Sequence, residues 1–462
     1  MDQTVFDAEL VKRYDGPGPR YTSYPTAVQF HEGYTVDDYR RLARASNDAD
    51  GKRPLSIYAH IPFCHSLCYY CGCHKIVTRT PGVAGEYIEQ VLREADLHAE
   101  LYDSSRPVVQ LHLGGGTPTY LTSDEMEGLV GGLGKRFHLA TDEDHEFSIE
   151  IDPRTTDKAM LGLLGRLGFN RLSMGIQDFE PRVQRAVNRI QPADETLALI
   201  GAARDAGFLS VSVDLIYGLP LQTMEGFERT LELVAAARPD RLAVYNYAHL
   251  PRMFRAQRLI RDEDLPGPAI KLDLLGLTID FLTRAGYEYI GMDHFALPGD
   301  DLALARADGS LHRNFQGYST YAECDLIGLG ISSIGSLETS YHQNLKLRKD
   351  YYASVERGEL PIFRGVELVE DDLRRRVIIQ RMMCQDGLQF AEMDQRFGLN
   401  FREEYADGLR ALEGMAEDGL VVVDEQGVRV TPRGRYLLRP IAMAFDAYLP
   451  AERQPGRFSK VI

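Results

Sequence analysis

The chain has no long apolar run. The longest candidate, Leu274–Leu282, is broken by Gly276, Thr278 and Asp280, and falls short of the ~18–20 consecutive apolar residues a membrane helix needs. The first residues, MDQTVFDAELVKRYD, hold no apolar stretch of the kind a secretory signal carries, so the expectation is a cytosolic protein without a membrane partner. Basic residues are outnumbered, with 52 Lys and Arg against 68 Asp and Glu and a formal net charge of −16. That balance argues against a nucleic-acid partner, which selects for a basic patch. An anionic small-molecule substrate stays open, because the field inside a pocket need not follow the net charge. Cysteine is scarce too. Six in 462 residues cannot staple a fold of this size.

What remains is a chain able to bury a large core, 44% hydrophobic and 26% charged, and long enough for more than one domain. The stretch GPGPRYTSYPT (Gly16–Thr26) is too rich in glycine and proline for regular structure, so residues 1–50 read as an arm that braces or covers the rest. From residue 55, strand-like and helix-like segments alternate. Strands are expected at Leu55–Pro62, Val108–Leu113, Glu146–Asp152, Arg171–Gln177, Ser210–Tyr217, Arg241–Ala248 and Tyr287–Phe295, several of them nearly continuous apolar runs. A helix is expected over Glu86–Leu101, and Thr122 with Glu125 has the spacing of a capping box. This alternation predicts an α/β fold, a partial (β/α)6 TIM-like barrel over residues 51–363. Residues 364–462 change character: helices near 370–383, 388–396 and 402–418 precede a hairpin in LVVVDEQGVRVT that turns at Asp424–Gly427. They read as a mostly helical, winged-helix-like second domain.

Four cysteines fall within ten residues, in Cys64-His-Ser-Leu-Cys68-Tyr-Tyr-Cys71-Gly-Cys73, while Cys324 and Cys384 lie apart and are expected to be small buried hydrophobes. A structural zinc site usually pairs cysteines on two separated knuckles. Here the spacing leaves little chain to wrap a tetrahedral ion and no second knuckle. An iron–sulfur cluster is larger, and three thiolates on one tight loop can reach three of its corners. The loop follows the first strand at its C-terminal end, where barrels carry their sites. Gly114-Gly115-Gly116-Thr117-Pro118 ends the second strand, either as a plain turn or as backbone that a ligand approaches closely.

The Cys64-x3-Cys68-x2-Cys71 pattern resembles that of the radical S-adenosylmethionine superfamily, and the glycine run resembles the element that meets the methionyl amine there. That resemblance implies a [4Fe–4S] cluster on Cys64, Cys68 and Cys71 whose fourth iron chelates S-adenosylmethionine, the source of a 5′-deoxyadenosyl radical. The stretches GPRYTSYPT, SIYAHIPFCHSLCYYCGCHKIVTR, GGGTPTYL, IEIDPR, NRLSMGIQDF, DLIYGLP, YNYAHLP, GMDHFA and LHRNFQGY narrow it further. They closely resemble the oxygen-independent coproporphyrinogen III oxidases, from about residue 16 to the end. The implied reaction is the anaerobic decarboxylation of coproporphyrinogen III to protoporphyrinogen IX in haem biosynthesis. It calls for a reductant such as a flavodoxin or ferredoxin system and an unidentified electron acceptor, in a monomer.

The same resemblance implies two molecules of S-adenosylmethionine, the first contacted by Tyr58, Gly115, Glu150 and Ile334. The second is contacted by Gly116, Thr117, Gln177, Arg189, Asp214 and Ala248, and Tyr70 packs on the cluster loop. Arg189 is expected to pair with a methionyl carboxylate or with a surface acid. Tyr58, His60 and Cys73 are candidates for a part in turnover. Cys73 also separates the enzymes from a haem-trafficking group on the same scaffold, which generally lacks a cysteine there. Four substrate carboxylates call for cations, and Arg20 and Arg313 are the candidates. The rival readings are a haem-binding or haem-transfer protein, a winged-helix redox regulator, which the acidic Arg402–Gly419 segment disfavours, and an anaerobic haem-degrading enzyme.

Overall fold

The computed structural model describes residues 6–48, 52–142, 145–321 and 323–449, so the extremities of the expected arm and of the C-terminal domain lie outside the described residues. Six strands, β1 (Leu55–Ile61), β2 (Pro107–Gly115), β3 (Glu146–Ile151), β4 (Arg171–Gln177), β5 (Ser210–Tyr217) and β6 (Arg241–Asn246), run parallel in sequence order. Helices connect them, as the partial (β/α)6 reading expects. The capping box forms: Glu125 N–H donates to Thr122 Oγ1 at 3.3 Å and Thr122 N–H donates to Glu125 Oε2 at 2.9 Å. Among the described residues no helix is long and apolar enough to cross a membrane.

Three features of the barrel region depart from the sequence reading. The strand expected over Tyr287–Phe295 is two strands, Glu288–Gly291 and His294–Ala296, paired antiparallel. Gly291 and Met292 between them sit at φ 152° and 54°, which reverses the chain. A further strand, β7 (Asp325–Leu329), pairs parallel with the free edge of β1. It is short and buried throughout, so it shows no alternation to betray it. Finally, β3 and β4 are not apolar runs. In β3, buried Phe147, Ile149 and Ile151 alternate with half-buried Glu146, Ser148 and Glu150, so one face packs under helices and the other lines a polar lumen.

Beyond β7 the sheet continues antiparallel through Ile334–Leu337, Ser340–Asn344 and Ile362–Glu367. The C-terminal segment then forms the helix Glu370–Cys384, the helix Phe390–Phe397 and a three-stranded sheet of Gly387–Gln389, Val421–Val423 and Gly427–Val430. The helix expected over 402–418 is broken into three short ones at Tyr405 and Leu412. The Gly16–Thr26 stretch is irregular, as its composition demands, yet firmly held. Arg439 donates to the carbonyls of Gly18 and Pro19, Tyr21 hydroxyl to Asp446 at 2.8 Å, and Ala447 N–H to the Tyr24 hydroxyl at 2.9 Å.

Just past β4, Asp178 is 2% exposed and is bonded by Glu180 N–H, Gln222 and Thr230. Burial outweighs these bonds and pushes its carboxyl from the ordinary 3.8 up to about 6. A carboxyl raised on folding favours the protonated native state, so its contribution is present below about pH 4 and lost as pH rises through about 6. The unfolding free energy of wild type minus that of Asp178→Asn is expected to decline across that window. A difference that stays level from pH 4 to 6 would contradict the assignment.

Candidate active site

The cysteine loop leaves β1 through Pro62 and Phe63 and is tied down along its length. Ile76 N–H donates to Pro62 O at 2.7 Å, Thr78 N–H to Cys64 O at 3.1 Å, Tyr69 N–H to Val187 O at 3.0 Å, and Asn188 to Leu67 O at 2.8 Å. Lys75 caps Cys71 O at 3.0 Å and Gln257 caps Tyr70 O at 2.9 Å. Tyr70 packs with Tyr69 against Val183, Val187 and Ile216. No cysteine in the loop is in a disulfide. Among the described residues no three His, Cys, Asp or Glu are grouped to hold a single metal ion.

Two arginines face Cys68. Arg154 Nη2 lies 3.4 Å and Arg189 Nη1 3.6 Å from its Sγ, and both guanidinium groups are held by Asp152, at 2.6 and 3.3 Å. Burial raises the Asp152 carboxyl, but the two arginines outweigh it and hold it below the usual carboxylate range. Arg189 is therefore not tied to a surface acid: it is 7% exposed and also donates to Gly175 O at 2.6 Å. Asp152 and Arg154 are a charged pair beside Cys68 that sequence reasoning missed, although both stand in the IEIDPR stretch. Cys64 Sγ lies 3.5 Å from Thr117 Oγ1, which joins the loop to the glycine turn. Cys73 hydrogen-bonds the Cys71 thiol, which pulls the Cys71 thiol down and pushes its own up.

The glycine turn needs its glycines. Gly115 has φ 115°, and a Cβ there would lie 2.6 Å from the His60 ring. A Cβ on Gly116 would lie 2.5 Å from Pro62 O. Gly115 N–H donates to Glu150 Oε2 at 3.0 Å. Beside it, Tyr58 stacks on His112 at 5.7 Å and its hydroxyl lies 3.0 Å from His60 Nδ1. His60 Nε2 lies 2.9 Å from His74 O. A carbonyl only accepts, so His60 carries its proton on Nε2 and takes the Tyr58 proton on Nδ1. Burial holds the His60 pKa down at about 4, so the ring is neutral at pH 7.

Glu150 and Asp214 face the same lumen but titrate apart. Burial raises Glu150, and the His112 and Gly115 contacts more than reverse that, leaving it below the usual range. Among the described residues Asp214 accepts one side-chain hydrogen bond, from Ser173 Oγ at 3.3 Å, and burial followed by repulsion from Glu150 lifts it to about 7. Gln177 adopts φ 69° at a break in the β4 register, and its buried Oε1 has no hydrogen-bond partner among the described residues. The Ala248 carbonyl accepts from Gln257 at 3.2 Å. Ile334 opens the strand Ile334–Leu337 and packs near Phe30 and Tyr341. Its backbone crosses where a Gly328 side chain would lie, 2.7 Å away.

Arg20 and Arg313 come together although 293 positions apart, with Arg313 Nε 3.3 Å from Arg20 O. Arg20 forms an ion pair with Asp293 and lies over Tyr245, while Arg313 lies over Tyr318 at 4.8 Å. Cys384 is buried as expected, but Cys324 is only half-buried, at the start of β7 where the chain enters the sheet.

The donor set suits an iron–sulfur cluster and S-adenosylmethionine. It offers free thiols beside cationic N–H donors, a glycine cradle that a side chain would fill, an unsatisfied Gln177 oxygen and an ionised carboxylate. Residues 58–234 match the Radical SAM superfamily model, and 368–437 match the HemN C-terminal domain. The chain is 47% identical over 462 residues to the oxygen-independent coproporphyrinogen III oxidase of Pseudomonas aeruginosa, covering 100% of both chains. It is 48% identical over 463 residues to that of Escherichia coli, again covering 100% of both. The solved structure of coproporphyrinogen III oxidase (HemN) from Escherichia coli, described as a radical SAM enzyme, superposes with a TM-score of 0.92 at 48% identity, over 97% of this chain and 100% of that one. With thiols, glycine cradle and carboxylates in this arrangement and relatives matched end to end, the chain belongs to the oxygen-independent coproporphyrinogen III oxidases, within the radical SAM superfamily.

Proposed function

We infer that this protein converts coproporphyrinogen III to protoporphyrinogen IX without oxygen. Two propionates each lose a hydrogen atom, CO2 and one electron to become vinyl groups, a step of haem biosynthesis. The observation that carries this reading is the thiol loop, pinned at the C-terminal end of β1 against the glycine turn, in a chain whose relatives match it over its whole length. When bound, the [4Fe–4S] cluster and S-adenosylmethionine supply the radical that takes a β-hydrogen from a propionate.

The chain's own residues hold and orient. Cys64, Cys68 and Cys71 are the cluster ligands, with the Arg154 and Arg189 guanidinium groups facing the Cys68 sulfur. Glu150, kept ionised, suits an ammonium group, and Gly115 lets a ligand approach its backbone. Tyr58 and Ile334 complete this first S-adenosylmethionine site. A second molecule is read to lie against Gly116, Thr117, Gln177, Arg189, Asp214 and Ala248. Asp214 is held near neutrality and suits hydroxyls, to which it can donate or accept. Neutral His60 fixes the Tyr58 hydroxyl. Arg20, paired with Asp293, and Arg313 stand together at the edge of the site and are read to meet the substrate's carboxylates. The division into an arm over residues 1–50, a catalytic unit over 51–363 and a C-terminal domain over 364–462 belongs to this reading, as does a reductant of the flavodoxin or ferredoxin type.

Anaerobically reconstituted protein given coproporphyrinogen III, S-adenosylmethionine, a reductant and cell extract is expected to form protoporphyrinogen IX. Stoichiometric haem binding with no decarboxylation would favour a haem-transfer protein instead. Cys68→Ser is expected to lose iron and turnover together, whereas Cys73→Ser is expected to keep its iron and lose turnover. Full activity in Cys73→Ser would remove that thiol from the reaction.

A further inference from the structure

Arg313 is 3% exposed, yet its guanidinium has no acidic partner among the described residues. Its Nε donates to the Arg20 carbonyl, its plane rests on Tyr318, and its Nη1 is buried with no hydrogen-bond partner. Asp293, already paired with Arg20, reaches Arg313 only through space, so the unpartnered Nη1 is left open to an anion that arrives. Arg20 is the contrasting case, since Asp293 neutralises it.

Two more buried nitrogens that have no hydrogen-bond partner among the described residues stand close by, His294 Nδ1 and Gln316 Nε2. His294 meets the edge of Tyr318 at 5.2 Å, and Gln316 lies in the turn of the hairpin that pairs Arg313 with Tyr318. His294, Gln316 and Tyr318 line one cavity with Glu150 and Asp214, with about 150 Å³ of space. That is below the ~300–1,000 Å³ of a pocket that encloses a drug-sized ligand. It has room for a side arm of the macrocycle.

The geometry points to a carboxylate subsite in which Arg313, Gln316 and His294 hold one propionate of the substrate that is not being decarboxylated. This deepens the functional reading above and rests on it. The retained arm is the one to expect here, because a carboxylate fixed by charge-assisted hydrogen bonds is stabilised against leaving as CO2. The subsite thus sets which face and which arm of a four-carboxylate substrate is presented to the cofactor end of the cavity.

The test compares wild type, Arg313→Met, Arg313→Lys and Gln316→Glu, each reconstituted anaerobically and matched for iron content and unfolding midpoint. The substrate is coproporphyrinogen III, and its tetramethyl ester, which has no carboxylate to lose, serves as a competing ligand whose inhibition constant is compared with the KM of the free acid. Arg313→Met, which keeps the packing on Tyr318, is expected to raise KM for the free acid about tenfold or more, with kcat largely kept and partial recovery in Arg313→Lys. Gln316→Glu, which places a carboxylate in the subsite, is expected to raise KM comparably and to narrow the preference for acid over ester. Wild-type KM in folded Arg313→Met and Gln316→Glu overturns the subsite, and should one of them not fold, the other decides alone. A wild type that does not convert coproporphyrinogen III overturns the functional reading, which is a separate outcome.

Discussion

Gly116→Ala is expected to lower turnover about a hundredfold, the scale on which a displacement of ~1 Å at a reacting centre acts. The new Cβ would lie 2.5 Å from Pro62 O, 2.6 Å from Pro62 C and 2.8 Å from Phe63 O. These are backbone atoms, so no rotamer relieves the contact, and one of the two segments must shift. Neither has slack. Gly116 N–H is bonded to Ile61 O at 2.8 Å, and Pro62 O already takes Ile76 N–H at 2.7 Å. The shift therefore reaches Cys64, two residues beyond Pro62, and Thr117, whose hydroxyl meets that thiol. Iron content and the affinity for S-adenosylmethionine report the damage separately from turnover. An alanine variant with wild-type iron, affinity and rate would show that the turn and the cysteine loop are not in register as described.

Asp325→Ala is expected to cost about 3–5 kcal/mol of folding stability, the range for removing one member of a buried ion pair. Asp325 pairs with Arg106 at 2.6 Å, and the two side chains are 0% and 1% exposed. The guanidinium also donates to Arg53 O, Ser46 Oγ and Asn47 Oδ1. It stitches β7 and β1 to the end of the helix Val36–Ala45. Without Asp325 the charge stays buried and uncompensated. Denaturant unfolding of the cluster-free protein measures the loss. The double variant Asp325→Leu with Arg106→Met, which removes both charges, is expected to recover much of it. A single variant within about 1 kcal/mol of wild type, no worse than an ordinary substitution, would show that the pair is not the seam it is taken for.

The contrast between these two sites is the contrast between local and distant encoding. Cys64, Cys68 and Cys71, and the turn Gly114–Thr117, carry their meaning in their spacing. A thiol triad on eight residues can only face one small volume, and consecutive glycines leave backbone open wherever they fall. Both features were legible in the chain, as were six of the seven parallel strands and the capping box at Thr122. β7 was not legible, because five residues buried on both faces show no period.

The pairs that tune the site join residues whose separation carries no signal. Asp152 reaches Arg189, 37 positions on, and together with Arg154 sets two cations against Cys68. Asp293 reaches back 273 positions to pair with Arg20, while Arg313, which looked equivalent in the sequence, forms no ion pair among the described residues. The sequence by itself determined the chemistry, since thiolate spacing and glycine placement act over a few residues of chain. Only the tertiary structure decided which charges meet, because pairing and desolvation depend on distance in space, and distance along the chain says nothing of either.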